Sequence, residues 1–256
     1  MAWMRFQVSR HIKTAGLPVS FDVLFPEHRK DKNEKLKTLY LLHGYHGDRS
    51  DWLLKTNLVR IVEGYPMAVV LPDGLNSFYV NLPSAHYYSD YLCQELPEYL
   101  ESILPLSSRR EDRYIAGLSM GGYGAFRQAL NHPEVFGAAA SFSGVMDIRE
   151  MYGQEMTTIP TEHLFGPLKD LEESGNDLFA AAAKLAGREG DLPLLMQLCG
   201  TEDPLLEPNR KFHKALTDLN IPITYEETPG GHEWDYWERC LKQLLEFLPV
   251  RREEEA

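Results

Sequence analysis

The chain has 256 residues, of which 43% are hydrophobic and 25% charged, a balance typical of a globular protein. This length suits one large domain, so we expect residues 1–256 to form a single domain. The net charge of −12 disfavours nucleic acid as a partner, because an acidic surface repels phosphate.

The ends and the cysteines of the chain indicate its compartment. No apolar stretch approaches the ~18–20 residues that cross a membrane, and the N-terminal residues lack the pattern of a secretion signal. We therefore expect a cytoplasmic protein with no membrane partner. Cys93, Cys199 and Cys240 are widely spaced, which favours reduced packing residues over disulfides or a metal site.

Short apolar runs typical of strands alternate with segments of helical periodicity. Strands are predicted at 5–12, 19–25, 38–42, 67–71, 113–116, 136–142, 194–198 and 223–227, and helices at 87–104, 121–131, 178–185 and 234–247. Residues 28–37 are predicted to be a solvated connection, and residues 251–256 a frayed tail. This alternation predicts an α/β fold with a mostly parallel sheet of about eight strands and helices on both faces.

Residues 146–191 interrupt the alternation of strands and helices between two predicted core strands. They contain glycine, proline and mixed charges, with one alanine-rich helix. We interpret the segment as a cap-like insertion over the functional site; the alternative is a long surface excursion without a catalytic role.

Ser119 is the predicted nucleophile. Gly117, Ser119 and Gly121 form a G-x-S-x-G motif between a predicted strand and a predicted helix. In that context the motif marks a strained turn that exposes a serine hydroxyl above the sheet of an α/β-hydrolase fold.

A serine nucleophile needs a histidine base, which in this fold is the last catalytic residue along the chain. His232 follows a glycine-rich loop after the last predicted strand, and we favour it. His132 and His213 fall in or at the end of predicted helices, and His163 lies in the insertion.

The acid that orients this histidine should follow a strand between the serine and the histidine. Asp203 comes just after the predicted strand 194–198, and Pro204 fixes the turn behind it. Glu202 competes for the role, and Asp147, after the preceding strand, is the remaining candidate.

Two backbone N–H groups should stabilise the oxyanion of the reaction. The residue after the nucleophile, Met120, supplies one donor. Tyr45, in the loop 43–48 after the third strand, is predicted to supply the other. His43 is expected to brace this loop.

Aromatic residues could form the wall of a substrate pocket. Trp52, Phe165 and Trp234 are candidates, together with the loop 76–86. Core packing is the favoured alternative for Trp52, and Trp234 could instead pin the loop of His232.

Five segments together resemble the esterase D family of α/β-hydrolases, whose members include tributyrin, acetyl and feruloyl esterases and S-formylglutathione hydrolases. They are residues 41–47 (LLHGYHG), 51–57 (DWLLKTN), 87–100, 117–124 (GLSMGGYG) and 231–237 (GHEWDYW). The resemblance implies a carboxylesterase that needs no cofactor, acts on small acyl groups and forms a homo-oligomer, either a dimer or a tetramer.

We therefore expect a serine carboxylesterase that hydrolyses small-molecule esters with short acyl chains, from acetyl to butyryl, and that includes aryl or sugar esters in its range. Alternatives on the same residues are a thioesterase like S-formylglutathione hydrolase, a feruloyl or acetyl-xylo-oligosaccharide esterase, and an acyltransferase. An inactive hydrolase fold used as a binding module is the alternative from another class.

Overall fold

The computed structural model describes residues 3–27, 34–82, 86–154, 157–188, 190 and 192–252. Its strands are β1 (Trp3–Ile12), β2 (Leu17–Pro26), β3 (Lys37–Leu42), β4 (Met67–Pro72), β5 (Arg113–Leu118), β6 (Ala138–Phe142), β7 (Leu194–Gly200) and β8 (Thr224–Thr228). They form one sheet in the order β1-β2-β4-β3-β5-β6-β7-β8. The pairs β1–β2 and β2–β4 are antiparallel, and the pairs from β4 to β8 are parallel.

The α-helices of the described residues are α1 (Asp51–Lys55), α2 (Leu58–Ile61), α3 (Tyr88–Asp90), α4 (Leu96–Ile103), α5 (Met120–Asn131), α6 (Thr161–Phe165), α7 (Leu178–Ala186), α8 (Leu206–Asp218) and α9 (Trp234–Phe247). Short 3₁₀ turns cover Arg110–Asp112, Ile148–Met151 and Leu168–Asp170. None of these helices has both the length and the apolar character needed to span a bilayer.

All eight predicted strands are present, which confirms the α/β-hydrolase sheet, with shifts at their ends. The predicted strand 136–142 begins only at Ala138, because Gly137 donates its N–H to the Arg110 and Arg113 carbonyls instead. The predicted helix 87–104 is interrupted by a π-helical turn over Tyr91–Glu95. Of the predicted connection 28–37 and tail 251–256, residues 28–33 and 253–256 lie outside the described residues.

Apolar side chains cover both faces of the sheet. Along β3, Tyr40 and Leu42 join a cluster with residues of α5, α7 and α8, while Leu39 and Leu41 join a second cluster with residues of α9. Burial on both faces explains why the central strands are continuous apolar runs in the sequence.

Chain segments that follow strands meet at one edge of the sheet. Ser119 follows β5, Asp203 follows β7, and His232 follows β8; the loop that starts at His43 follows β3. Because these strands are parallel, their carboxyl ends lie together, where ligands bind in open α/β sheets.

Candidate active site

Ser119 occupies a strained turn between β5 and α5. Its φ is 53° and its ψ is −116°, a conformation that residues with a side chain rarely adopt. The turn is closely packed: a Cβ on Gly117 would lie 2.6 Å from the Gly121 backbone, and a Cβ on Gly121 would lie 2.6 Å from the His43 carbonyl oxygen. The two motif glycines therefore permit the turn that exposes the serine.

Ser119, His232 and Asp203 form a continuous hydrogen-bonded chain. His232 Nε2 lies 3.0 Å from Ser119 Oγ, and His232 Nδ1 lies 2.9 Å from Asp203 Oδ2. The Asp203 side chain is fully buried, while the His232 side chain is 30% exposed. The structure thus brings together the three residues predicted to form a triad, with the histidine in the middle.

The surroundings of Asp203 keep it ionised. Burial acts to raise its pKa, but the hydrogen bond and charge interaction with His232 and a bond from the Leu205 N–H outweigh burial, so the pKa lies below its ordinary value. An ionised carboxylate can only accept a hydrogen bond. His232 therefore carries a proton on Nδ1, and in the neutral ring Nε2 is left to accept the Ser119 proton.

The other acidic candidates lie in different surroundings. Glu202 is exposed, and its carboxylate accepts hydrogen bonds from the Gly230 N–H at 2.5 Å and the Thr201 hydroxyl at 2.7 Å. Asp147 accepts from the Arg149 N–H at 3.2 Å and caps a 3₁₀ turn. Neither carboxylate makes the contact with His232 that Asp203 makes.

The other histidine candidates also have local partners. His132 lies 3.5 Å from the Glu134 carboxylate at the end of α5. The ring of His213 stacks on Tyr225, with the centroids 4.1 Å apart. His163 lies in the insertion and lines a cleft that does not include Ser119.

Both residues predicted to donate to the oxyanion lie near Ser119. Met120 is the first residue of α5, so its N–H is among the four that a helix leaves without an intrahelical acceptor. Tyr45 lines a cavity beside Ser119, and its hydroxyl accepts a hydrogen bond from the Thr158 N–H at 3.1 Å.

The cavity beside Ser119 has a volume of about 230 Å³ and largely apolar walls. Its lining comprises Tyr45, Phe78, Ser119, Val145, Met151, Thr157, Pro204, Leu205 and His232. Sequence reasoning missed Val145, Met151 and Leu205. A usable signal was their place in the segments that follow β6 and β7, since such segments border the site in this fold.

The three aromatic residues predicted for the pocket do not line this cavity. Trp52 is 1% exposed and packs with Trp234, 5.3 Å away between ring centroids, in the core cluster that includes α9. Phe165 lies behind Phe78, with ring centroids 5.2 Å apart. Their positions depend on which face of the sheet each segment packs against, and composition alone does not reveal this.

A metal centre was not expected from the sequence. Across the described ranges, no three His, Cys, Asp or Glu side chains are grouped so that they could hold a metal ion.

The sheet order, the strained serine and the hydrogen-bonded histidine define an α/β-hydrolase of the serine hydrolase class. Residues 13–248 match the esterase family described as "Putative esterase". The chain belongs to this esterase family, and it is a serine esterase, a carboxylic ester hydrolase.

Known relatives agree with this assignment. An acetyl esterase of Caldicellulosiruptor saccharolyticus is 35% identical over 229 residues, which cover 84% of each chain. The fluorophosphonate-binding serine hydrolase F of Staphylococcus aureus superposes with a TM-score of 0.90 at 29% identity, covering 96% of this chain and 98% of that one. The S-formylglutathione hydrolase of the same organism gives 0.88 at 29% identity, covering 97% and 99%.

Proposed function

We propose that this esterase hydrolyses small-molecule esters with short acyl chains, acetyl to butyryl, through an acyl-enzyme on Ser119. The observation that carries the proposal is the hydrogen-bonded chain from Ser119 through His232 to Asp203. Such a chain converts a weakly nucleophilic hydroxyl into a reactive one.

In the proposed reaction, His232 takes the Ser119 proton as the serine oxygen attacks the ester carbonyl. The backbone N–H groups of Met120 and Tyr45 stabilise the resulting oxyanion, and Asp203 stabilises the charged imidazole. His232 then donates the proton to the departing alcohol. A water molecule, deprotonated by His232, hydrolyses the acyl-enzyme and regenerates the serine. No cofactor takes part in these steps.

The cavity supports a short acyl group. Its volume of about 230 Å³ is below the range of roughly 300–1,000 Å³ typical of pockets for drug-sized ligands. Phe78, Val145, Met151 and Leu205 give it apolar walls. The acetyl esterase named above, 35% identical, points to the same substrates.

A p-nitrophenyl ester series from acetate to octanoate tests the proposal. We expect kcat/KM to be highest for acetate or butyrate and to fall for octanoate. Ser119→Ala should abolish turnover, with a loss on the order of 10⁴-fold or more. An inactive wild-type protein, or a Ser119→Ala variant of full activity, would disprove the assignment of the nucleophile.

Thioester hydrolysis is the second candidate, because the S-formylglutathione hydrolase of S. aureus superposes with a TM-score of 0.88. The same residues would act on a thioester. Comparing kcat/KM for S-formylglutathione with that for p-nitrophenyl acetate separates the two substrates. A higher value for the thioester would favour the second candidate.

The proposal extends to the protein's organisation. Residues 146–191 would form a cap-like insertion of a single domain spanning 1–256, because Met151 and Thr157 of this segment line the cavity. The protein would act in the cytoplasm, as expected from its sequence, and would form a dimer or tetramer, as the family resemblance implies. Light scattering on the purified protein measures that oligomeric state.

A further inference from the structure

Residues 74–79, which we call the bracket loop, hold the start of the loop that carries Tyr45. The Gly74 N–H donates to His43 Nε2 at 2.9 Å, and the Tyr79 hydroxyl donates to the His43 carbonyl at 3.1 Å. His43 is 1% exposed. Both its ring and its backbone are therefore fixed by the bracket loop.

The bracket loop also holds the residue that follows Tyr45. The His46 N–H donates to Asn76 Oδ1 at 2.8 Å. Tyr45 thus lies between two residues that are each bonded to the bracket loop, so movement of this loop would move the Tyr45 backbone.

The orientation of one peptide group follows from these contacts. Because the Gly74 N–H can only donate, His43 Nε2 accepts, and the neutral ring carries its proton on Nδ1. That proton points to the Gly44 carbonyl, 2.8 Å from Nδ1, which also accepts from the Gly47 N–H at 3.1 Å. In a trans peptide the C=O and N–H point in opposite directions. Fixing the Gly44 carbonyl therefore fixes the direction of the Tyr45 N–H.

The bracket loop is itself strained and tightly held. Leu75, Phe78 and Tyr79 have φ values of 48°, 52° and 57°, which are unfavourable for bulky residues and persist only where the surroundings enforce them. The Tyr79 ring is clamped between two glycines: a Cβ on Gly74 would lie 2.1 Å from it, and a Cβ on Gly124 would lie 2.6 Å from it. This packing holds the Tyr79 ring with its hydroxyl at the His43 carbonyl.

We propose that Tyr79 is a positioning residue of the oxyanion site. Its hydroxyl holds His43, His43 orients the Gly44–Tyr45 peptide, and that peptide presents its N–H to the substrate oxygen. Tyr79 is fully buried and acts through His43 without touching the substrate. This inference rests on the proposed function, since it concerns the ester reaction at Ser119.

Tyr79→Phe tests the inference, because it removes one oxygen and retains the ring. Complete loss of an oxyanion donor lowers kcat by roughly 10²–10³-fold. A donor that is displaced but still present should cause a smaller loss. We therefore expect kcat for p-nitrophenyl butyrate to fall about tenfold, with KM within about twofold of wild type. Rates are expressed per active site titrated with a fluorophosphonate, so that unfolded protein does not contribute.

A tetrahedral inhibitor supplies a second readout. Butylboronic acid adds to a catalytic serine and places an oxygen in the oxyanion site, so its Ki should rise by the same factor as kcat/KM falls. A change that affected only stability would alter the titrated fraction of active protein and leave this Ki unchanged.

Tyr91→Phe is the matched control. Tyr91 is also fully buried, and its hydroxyl has no hydrogen-bond partner among the described residues. We expect its kcat per titrated site to equal that of wild type. A Tyr79→Phe variant with wild-type kcat and Ki, or an equal loss in Tyr91→Phe, would overturn the inference. Failure of the proposed function would instead appear as an inactive wild-type protein.

Discussion

Asp203 and Glu202 are neighbours in the chain, but their carboxylates lie in different surroundings. The Asp203 side chain is fully buried and lies 2.9 Å from His232 Nδ1. Glu202 is exposed and accepts a hydrogen bond from the Gly230 N–H. The sequence places both acids after the same strand, and the direction of each side chain separates their roles.

Asp203→Asn should lower kcat by about 10³–10⁴-fold, because an amide in this position favours the wrong tautomer of His232. Glu202→Gln is the matched control: its amide oxygen can still accept from Gly230, and we expect kcat to change less than about threefold. Steady-state kinetics on p-nitrophenyl butyrate measures both. A larger loss in Glu202→Gln than in Asp203→Asn would reverse the assignment.

The lowered pKa of Asp203 also makes the stability of the folded protein depend on pH. Ionised Asp203 stabilises the folded state above its ordinary pKa of 3.8, and the contribution is lost as the pH falls through the lowered folded-state pKa. The difference in unfolding free energy between wild type and Asp203→Asn should therefore shrink as the pH falls from about 5 through the lowered folded-state pKa of Asp203. Urea denaturation across this range measures it.

The three residues of the hydrogen-bonded chain were predictable from the sequence because their signals are local. A G-x-S-x-G turn, an acid after a strand and a histidine after a glycine-rich loop each depend on a few adjacent residues. The pocket was not predictable in this way. Trp52 packs with Trp234 in the core cluster of α9, and this depends on how helices pack against the sheet.

At the scale of elements, the segment 146–191 contributes residues to the cavity beside Ser119. Met151 closes the 3₁₀ turn Ile148–Met151 and lines the cavity, as does Thr157. Thr158 binds the Tyr45 hydroxyl. The segment therefore meets both the proposed acyl site and the loop of the proposed oxyanion donor, which favours a cap over a surface excursion without a role.

Met151→Ala should widen the cavity and shift the preference toward longer acyl chains. We expect the ratio of kcat/KM for p-nitrophenyl octanoate to that for the butyrate to rise about tenfold. The widened cavity could bury additional methylene groups of the octanoyl chain, and each buried methylene stabilises binding by about 0.8 kcal/mol. Met146→Ala serves as the control, because Met146 is equally buried but does not line the cavity.

The same ester series measures both methionine variants. An unchanged ratio in Met151→Ala, or an equal shift in Met146→Ala, would contradict the assignment of Met151 to the acyl wall.

The strands that are buried on both faces of the sheet were predicted well from the sequence. Strands such as β3 and β4 are continuous apolar runs and were found within a residue or two of their ends. The π-helical turn over Tyr91–Glu95 was not foreseen, since its residues fit the periodicity of a regular helix. The conformation of the bracket loop was not foreseen either, because it depends on long-range contacts with His43 and Gly124.

At the scale of the whole molecule, burial of all three thiols keeps them from competing with Ser119, the proposed nucleophile. Cys93, Cys199 and Cys240 are buried free cysteines, and burial raises the pKa of each thiol to about 12. A thiol is reactive as its thiolate. At neutral pH the native protein should therefore react with electrophiles through Ser119.

Covalent labelling by a fluorophosphonate, read by intact mass and then by peptide mass spectrometry, tests the central claim most directly. We predict one adduct per chain, located on Ser119, with Ser119→Ala unlabelled and His232→Ala labelled more slowly by at least about 10³-fold. An adduct on another residue of the native wild-type protein, or no adduct at all, would contradict the account of Ser119 as the nucleophile.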